Sequence, residues 1–153
     1  MHANYIEKCD ELHAVTGINH VSLVCVTETW FKNYMADESV NLTGFSCERK
    51  DRVERRGGGV VSYVRNDVLY DRLDYLESDS FEVVWINIHP KRLPRRFSCV
   101  VVASIYHTPD ADNTQMREYL INSLDNVLRK YPECGIILTG DFNRFRDGFL
   151  RTH

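Results

Sequence analysis

The chain places chemically useful side chains at the ends of three apolar runs: Glu28, Tyr106, and the pair Asp141 and Asn143. Residues i and i+2 of an extended chain point the same way, so Asp141 and Asn143 can reach one site together while Phe142 turns into the core. Carboxylate and amide oxygens suit a hard cation such as Mg²⁺, which keeps water molecules for phosphate oxygens. The pattern by itself predicts an α/β domain with a cation site at its strand ends.

Each of these residues also has a plainer interpretation. A glutamate after a strand, such as Glu28, is usually a solvated turn residue. Residues 140–143 read Gly-Asp-Phe-Asn, which is good turn chemistry because Asp and Asn bond to their own backbone and Gly allows positive φ. A tyrosine at a strand end more often packs than catalyses. A zinc site is disfavoured because His and Cys do not stand at zinc-ligand spacing.

Hydrophobic periodicity predicts the elements that must position these side chains. Helices are predicted at 6–17, ending at Gly17, and at 114–130, with Asn113 as the N-cap. Apolar runs predict strands at 20–28, 44–49, 60–65, 68–76, 81–88, 97–106 and 135–140. We expect 44–65 to be a hairpin with an arginine-rich tip and 97–106 to be a central strand, since both faces of the latter are apolar. Residues 29–43 are expected to be irregular apart from one short helical turn.

Length and composition exclude several classes of protein. The chain has 153 residues, 43% of them apolar and 27% charged, which is typical of one globular domain. Its longest apolar run is five residues, Cys99 to Ala103, whereas a membrane helix needs about 20, so no membrane partner is expected. The first eight residues hold no apolar segment, so no secretory signal is expected. Five widely spaced cysteines without a C-x-x-C pair predict reduced thiols in an intracellular protein.

Charge gives only local support for nucleic-acid binding. The net charge is −3, so a basic footprint over the whole protein is missing. For Arg55 and Arg56, a contact with the DNA backbone and a solvated loop are equally open. Arg144 lies beside an aromatic residue, and such a mixture can stack on a base. A solvated loop is the expectation for the basic segment 91–96, and a surface position is the expectation for His107.

Four segments together resemble one enzyme superfamily. They are Glu28-Thr29-Trp30-Phe31, the arginine-rich and glycine-rich stretch 49–60, Ser104-Ile105-Tyr106-His107-Thr108-Pro109, and Gly140-Asp141-Phe142-Asn143. Their order and spacing are similar to the endonuclease/exonuclease/phosphatase superfamily. More narrowly, they resemble the apurinic-like endonuclease domain of non-LTR (LINE-type) retrotransposons, over about residues 5–145.

The resemblance implies a fold, a reaction and a set of roles. The fold would be a partial four-layered α/β sandwich, with two mixed, mainly antiparallel sheets and outer helices. The reaction would be phosphodiester hydrolysis of DNA with Mg²⁺, which Mn²⁺ can replace. Glu28 would be the metal ligand, Tyr106 and Asn143 would contact the phosphate, and Asp141 would orient or activate the attacking water. The remaining assignments are substrate contacts by Arg55, Arg56 and Arg144. A reverse-transcriptase domain in the parent polyprotein and an intracellular, nuclear location would accompany them.

The sequence also departs from the family pattern. Asn4 is out of register with the asparagine of the family's first strand, and no Asp-His dipeptide occurs, although that couple is catalytic in the family. A complete sandwich of this kind needs about 200–250 residues. We therefore expect 1–153 to be a single incomplete domain, truncated at both ends, with little or no turnover. Two alternatives stay open: an inositol-phosphate or phospholipid phosphatase of the same superfamily, and a non-catalytic remnant.

Overall fold

The computed structural model describes the backbone of residues 3–18, 20–53 and 57–145, and the side chains of 10–17, 20–53 and 57–145. The helices are α1 (Ala3–Ile18), α2 (Asp37–Val40) and α3 (Asn113–Lys130), and a 3₁₀ turn covers Asp74–Leu76. The strands are β1 (Leu23–Thr27), β2 (Phe45–Lys50), β3 (Val60–Arg65), β4 (Leu69–Arg72), β5 (Glu82–His89), β6 (Cys99–Tyr106) and β7 (Cys134–Asp141). Every element predicted from periodicity is present, with its ends moved by a few residues.

The first sheet is an antiparallel three-stranded sheet in which β3 lies between β1 and β2. Strands β2 and β3 pair from Phe45 opposite Arg65 to Lys50 opposite Val60. The predicted hairpin over 44–65 is therefore confirmed. On its other side β3 pairs with β1, and the last pair joins Thr27 to Val60. Glu28 thus leaves the sheet beside the glycines that precede β3.

The second sheet has four strands in the order β4, β5, β6, β7. The first three are antiparallel, whereas β7 runs parallel to β6, because α3 carries the chain back between them. β6 lies between β5 and β7, and seven of its eight residues are buried. The expectation that 97–106 is a central strand is confirmed.

Four layers follow from the way the two sheets bury their faces. The inner faces meet in an aliphatic cluster that includes Val60, Val64, Ile86 and Val102. The outer face of the second sheet packs on α3 through residues such as Leu120. The outer face of the first sheet packs with Leu12 of α1 among its neighbours. The order helix, sheet, sheet, helix is the expected α/β sandwich.

Local sequence patterns mispredict the N-cap of α3 and the end of β4. Asp112, not Asn113, caps α3, because its Oδ1 accepts hydrogen bonds from Thr114 N at 2.7 Å and Gln115 N at 3.2 Å. The predicted strand 68–76 ends at Arg72 and continues as the 3₁₀ turn. The choice of cap depends on which neighbouring side chain is free to bond, which a one-dimensional pattern does not contain.

Replacing Gly140 by Ala is expected to destabilise the protein severely. A Cβ at this position would lie 1.9 Å from the carbonyl oxygen of Ile105, and the backbone φ is +130°. We expect a loss of about 3 kcal/mol or more in the free energy of unfolding, measured by urea titration. The control is Gly17→Ala in α1, where a Cβ would meet nothing within 4 Å and a helical Gly-to-Ala change stabilises by about 0.5–1 kcal/mol. Equal stabilities of the two variants would contradict the close approach of β6 and β7.

Candidate active site

Tyr106 and Glu28 form a contact between the two sheets. The Tyr106 hydroxyl at the end of β6 donates to Glu28 Oε1, just after β1, at 2.5 Å. Tyr106 is buried, whereas Glu28 is exposed. Burial first, and then the hydrogen bond and negative charge of Glu28, together raise the pKa of Tyr106 to about 12, against an opposing effect of Arg52. The phenol therefore stays protonated and acts as a hydrogen-bond donor at neutral pH.

The glycines before β3 hold the Glu28 segment in an unusual backbone conformation. Glu28 and Trp30 have φ of +54° and +59°, a left-handed region that side-chain-bearing residues seldom adopt. Trp30 N donates to the Gly58 carbonyl at 2.9 Å and Thr29 N to the Gly59 carbonyl at 3.4 Å. These backbone bonds turn the chain out of β1 so that the Glu28 side chain reaches the second sheet.

Asp141 lies beside Tyr106 at the same edge of the second sheet. The two residues are register partners on the parallel strands β6 and β7, and such partners project from the same face. His107, the residue that follows β6, donates its backbone N–H to the Asp141 carbonyl at 2.8 Å. The structure therefore brings Glu28, Tyr106 and Asp141 to one end of the sandwich.

Asn143 joins this group through a turn rather than through extended chain. β7 ends at Asp141, and Asn143 has φ of +46°. Its backbone N–H donates to Asp141 Oδ1 at 2.9 Å, and its Nδ2 donates to the His107 carbonyl at 2.7 Å. The prediction that an extended i, i+2 spacing would align Asp141 with Asn143 was wrong in its geometry, because Asp141 forms an Asx turn. Phe142 packs against the core, as expected.

His107 is buried, so the expectation of a surface histidine was wrong. Only 2% of it is exposed. Its Nε2 lies 2.7 Å from Asn113 Oδ1 and donates to it, and its ring stands edge-on to Phe145 with centroids 5.4 Å apart. The backbone of His107 also bonds to Asp141 and Asn143. A buried position follows, because the residue ties the end of β6 to the turn after β7.

Sequence reasoning did not single out two charged residues beside this group. Arg52 follows β2, and its Nε and Nη2 both donate to Glu82 Oε1, the former at 2.6 Å. The Arg52 guanidinium carbon lies 5.6 Å from the centre of the Tyr106 ring. Glu82 is the register partner of Tyr106 on β5. Pairing the predicted strands 81–88 and 97–106 in antiparallel register would have placed Glu82 opposite Tyr106 and so identified it.

Of the three arginines assigned to substrate contacts, one lies among the described residues. Arg55 and Arg56 lie outside the described residues. Arg144 is described and exposed, directly after Asn143. The basic segment 91–96 is a mostly exposed loop, with Lys91 Nζ 3.6 Å from an Asp67 oxygen. The expectation of a solvated loop there agrees with this exposure.

Three further observations on the described residues concern metal-binding groups, membrane-spanning helices and the state of the cysteines. Among the described residues, no group of three or more His, Cys, Asp or Glu side chains is placed to hold a metal ion. No helix within them is long and apolar enough to cross a membrane. Four cysteines in this part of the chain, Cys25, Cys47, Cys99 and Cys134, are free thiols.

Comparison with known proteins decides the family. The sequence model of the Endonuclease/Exonuclease/phosphatase family matches residues 3–151. The chain belongs to the endonuclease/exonuclease/phosphatase family. The family predicted from the four motif segments is thus confirmed. A search of curated protein sequences finds no match to the chain.

Two solved structures share the fold of this family member. One is the endonuclease domain of TRAS1, a telomere-specific non-LTR retrotransposon, with a TM-score of 0.57, 17% identity, and coverage of 88% of this chain and 52% of that one. The other is the AP endonuclease LMAP from Leishmania major, with a TM-score of 0.56, 19% identity, and coverage of 90% and 50%. The chain spans about half the length of these two structures.

Replacing Tyr106 by Phe tests the contact between the sheets. Removing a hydrogen bond to a carboxylate that is itself exposed should lower the free energy of unfolding by about 1 kcal/mol. The folded pKa of about 12 lies above the unfolded value of about 10. The stabilisation is therefore complete below pH 10 and is lost as the pH rises towards 12.

Urea unfolding of the wild type and Tyr106→Phe at pH 7, 8 and 9 measures this difference, which should be constant over that range. The matched control is Tyr34→Phe, because Tyr34 is 81% exposed and its change should stay within about 0.5 kcal/mol. Identical unfolding of the two variants would argue against the bond to Glu28.

Proposed function

We propose that the chain carries the front part of a divalent-cation-dependent DNA endonuclease site of the retrotransposon type. One observation carries the proposal: the Tyr106 hydroxyl bonds to Glu28 while Tyr106 is in register with Asp141. These residues come from three strands that are far apart in sequence, yet they meet at one end of the sandwich. A place where a few polar groups from separate elements converge is the usual starting hypothesis for a functional site.

Each residue has a role that its contacts support. Asp141 is the group that takes a proton from the attacking water, and we assign this step to Oδ2 because Oδ1 already accepts the Asn143 N–H. Tyr106 is a protonated phenol whose single O–H donates to Glu28 in this structure. Its contact with a phosphate oxygen would require that O–H to turn from Glu28 to the substrate. The Asn143 amide, fixed by the His107 carbonyl, is the second phosphate donor.

Mg²⁺ is the cation that fits the donor set. Mg²⁺ in phosphate-processing sites is held by one or two carboxylates and keeps several water molecules. Glu28 offers a carboxylate that is exposed, with one oxygen fixed by Tyr106, so it would be the protein ligand. When bound, the cation would neutralise charge on the phosphate. Mn²⁺ is the expected substitute, since it accepts the same oxygen ligands.

DNA is the substrate that the relatives suggest. Both similar structures are endonucleases by their names, one from a retrotransposon and one an AP endonuclease. In this proposal Arg144, Arg55 and Arg56 contact the DNA backbone. A nuclear location and a reverse-transcriptase domain in the parent polyprotein belong to the same proposal.

We further propose that the chain alone turns over little or no substrate. It spans about half the length of the two similar structures. Its sequence also contains no Asp-His dipeptide, the couple that the resemblance makes catalytic. The domain is then incomplete, and its cation and phosphate ligands need partners from elsewhere in a full-length protein.

A chimera that joins this chain to the remaining half of the TRAS1 endonuclease domain tests the function. With Mg²⁺, the chimera should nick supercoiled plasmid, and Glu28→Gln or Asp141→Asn should each lower the rate by at least about 100-fold. The chain alone should nick no faster than its Glu28→Ala variant. Gel conversion of supercoiled to open circular DNA measures both rates.

The matched control is Glu133→Gln, because Glu133 is exposed in the turn before β7; it should leave the nicking rate unchanged. A folded chimera that nicks equally well with Glu28→Gln would refute the assigned site. Release of phosphate from inositol hexakisphosphate without DNA nicking would instead favour a phosphatase of the same family.

A further inference from the structure

We propose that Glu82 and Arg52 are positioning residues that hold Glu28 and Tyr106 in their relative orientation. The inference rests on the proposed function, since it assigns two further residues to the same site. Neither residue is needed as a ligand or proton carrier in that proposal. Their role would be to lock the backbone and the ring from which Glu28 and Tyr106 project.

Both carboxylate oxygens of Glu82 are engaged, and their partners lie on different sheets. Oε1 accepts from Arg52 Nε at 2.6 Å and also from Arg52 Nη2. Oε2 accepts from the backbone N–H of Gly59 at 2.5 Å. Glu82 begins β5 of the second sheet, whereas Arg52 and Gly59 flank β2 and β3 of the first. One carboxylate therefore joins the two sheets at the edge of the site.

The glycine segment passes this constraint on to Glu28. Gly59 is held by Glu82 through its N–H and in turn accepts from Thr29 through its carbonyl. Gly58 likewise accepts from Trp30. Left-handed backbone at Glu28 costs of order 1–3 kcal/mol and persists only where surrounding contacts enforce it. Glu82 supplies such a contact two hydrogen bonds away from the Glu28 backbone.

Close packing explains why this segment consists of glycine. A Cβ on Gly58 would lie 2.6 Å from Arg52 Cζ and 2.7 Å from Glu82 Oε2. A Cβ on Gly59 would lie 2.6 Å from Thr29 Oγ1. Gly58 and Gly59 are both buried, and the Arg52 and Glu82 side chains are 18% and 17% exposed. Because Gly58 and Gly59 have no side chains, the backbone before β3 can pack directly against the Arg52–Glu82 ion pair. This packing accounts for the glycines without a role in phosphate binding.

Arg52 acts on Tyr106 from the other side. Its guanidinium lies over the Tyr106 ring at 5.6 Å, while the Tyr106 hydroxyl bonds to Glu28. A cation over the face of a tyrosine ring is attractive, and the forked ion pair with Glu82 fixes where that cation stands. The ring is therefore held at its face by Arg52 and at its hydroxyl by Glu28.

Two activity-independent measurements on the full chain test the inference. The first is amide hydrogen exchange in segments 28–31 and 57–60. Glu82→Gln should speed exchange there by about tenfold. The glutamine side chain is uncharged and has one acceptor oxygen in place of two, so its NH₂ group must face either Arg52 or the Gly59 N–H. The second is the ¹³Cζ resonance of Tyr106, assigned with Tyr106→Phe, which reports its hydrogen bond. This resonance should shift in Glu82→Gln and Arg52→Gln and return towards the wild-type position in Arg52→Lys, which keeps the cation.

Glu77→Gln is the matched control. Glu77 also accepts from an arginine, Arg72 at 2.9 Å, and from a backbone N–H, that of Trp85 at 3.4 Å. Neither of these partners belongs to the glycine segment. Glu77→Gln should leave exchange in 28–31 within about twofold of the wild type and the Tyr106 resonance unmoved.

The outcomes separate this inference from the proposed function. A folded Glu82→Gln protein with unchanged exchange in 28–31 overturns the inference, even if the chimera nicks DNA. A local rise in exchange with a shifted Tyr106 resonance supports the positioning role, even if the chimera is inactive. If Glu82→Gln does not fold, Arg52→Gln and Arg52→Lys test the inference in its place. If the Tyr106 resonance has the same position in both variants as in the wild type, Arg52 does not position the ring, and the inference is overturned.

Discussion

The hydrogen bond from Tyr106 to Glu28 joins the two sheets at the end of the sandwich where Asp141 also lies. It requires that a chain leaving β1 turn sharply enough to bring a carboxylate over the second sheet, which an ordinary strand end would not do. That turn is left-handed at Glu28 and Trp30 and is held by the carbonyls of Gly58 and Gly59. The site therefore depends on backbone that is strained locally and supported by the neighbouring segment.

Charged side chains on the inner face of β2 form a row of polar contacts along one side of the sandwich. Glu48, Lys50 and Arg52 alternate along the strand and its exit. Glu48 accepts from Arg72 and Tyr70 of β4, and Arg52 pairs with Glu82 of β5. Lys50 donates to the Ser78 carbonyl, in the segment before β5, at 2.6 Å. β2 is an edge strand of the first sheet, and inward charges on an edge strand discourage pairing with other chains. The same alternation carries Arg52 to the site.

Much of the fold could be predicted because it depends on local patterns. Strand 60–65 and central strand 97–106 followed from largely apolar segments rich in valine, which mark strands buried on both faces. The group of Glu28, Tyr106 and Asp141 followed from polar residues at strand ends. The Asx turn at Asn143, the burial of His107 and the cap by Asp112 did not, because each depends on partners that only the folded chain supplies. The roles assigned to the site residues stay predictions.

Glu82 shows most clearly what a sequence pattern cannot provide. It stands at the first position of a strand, where a solvated carboxylate is the ordinary expectation, and its importance appears only once β5 is aligned against β6. Its contacts, and those of Glu28 and Tyr106, all lie among the described residues. The arrangement of these side chains is thus supported by contacts within the described residues, whereas turnover in our proposal also requires residues that the chain does not contain. Organisation of a site and completion of its chemistry are separate properties, and in our proposal the first rests on an ion pair between the sheets and the close packing of two glycines against it.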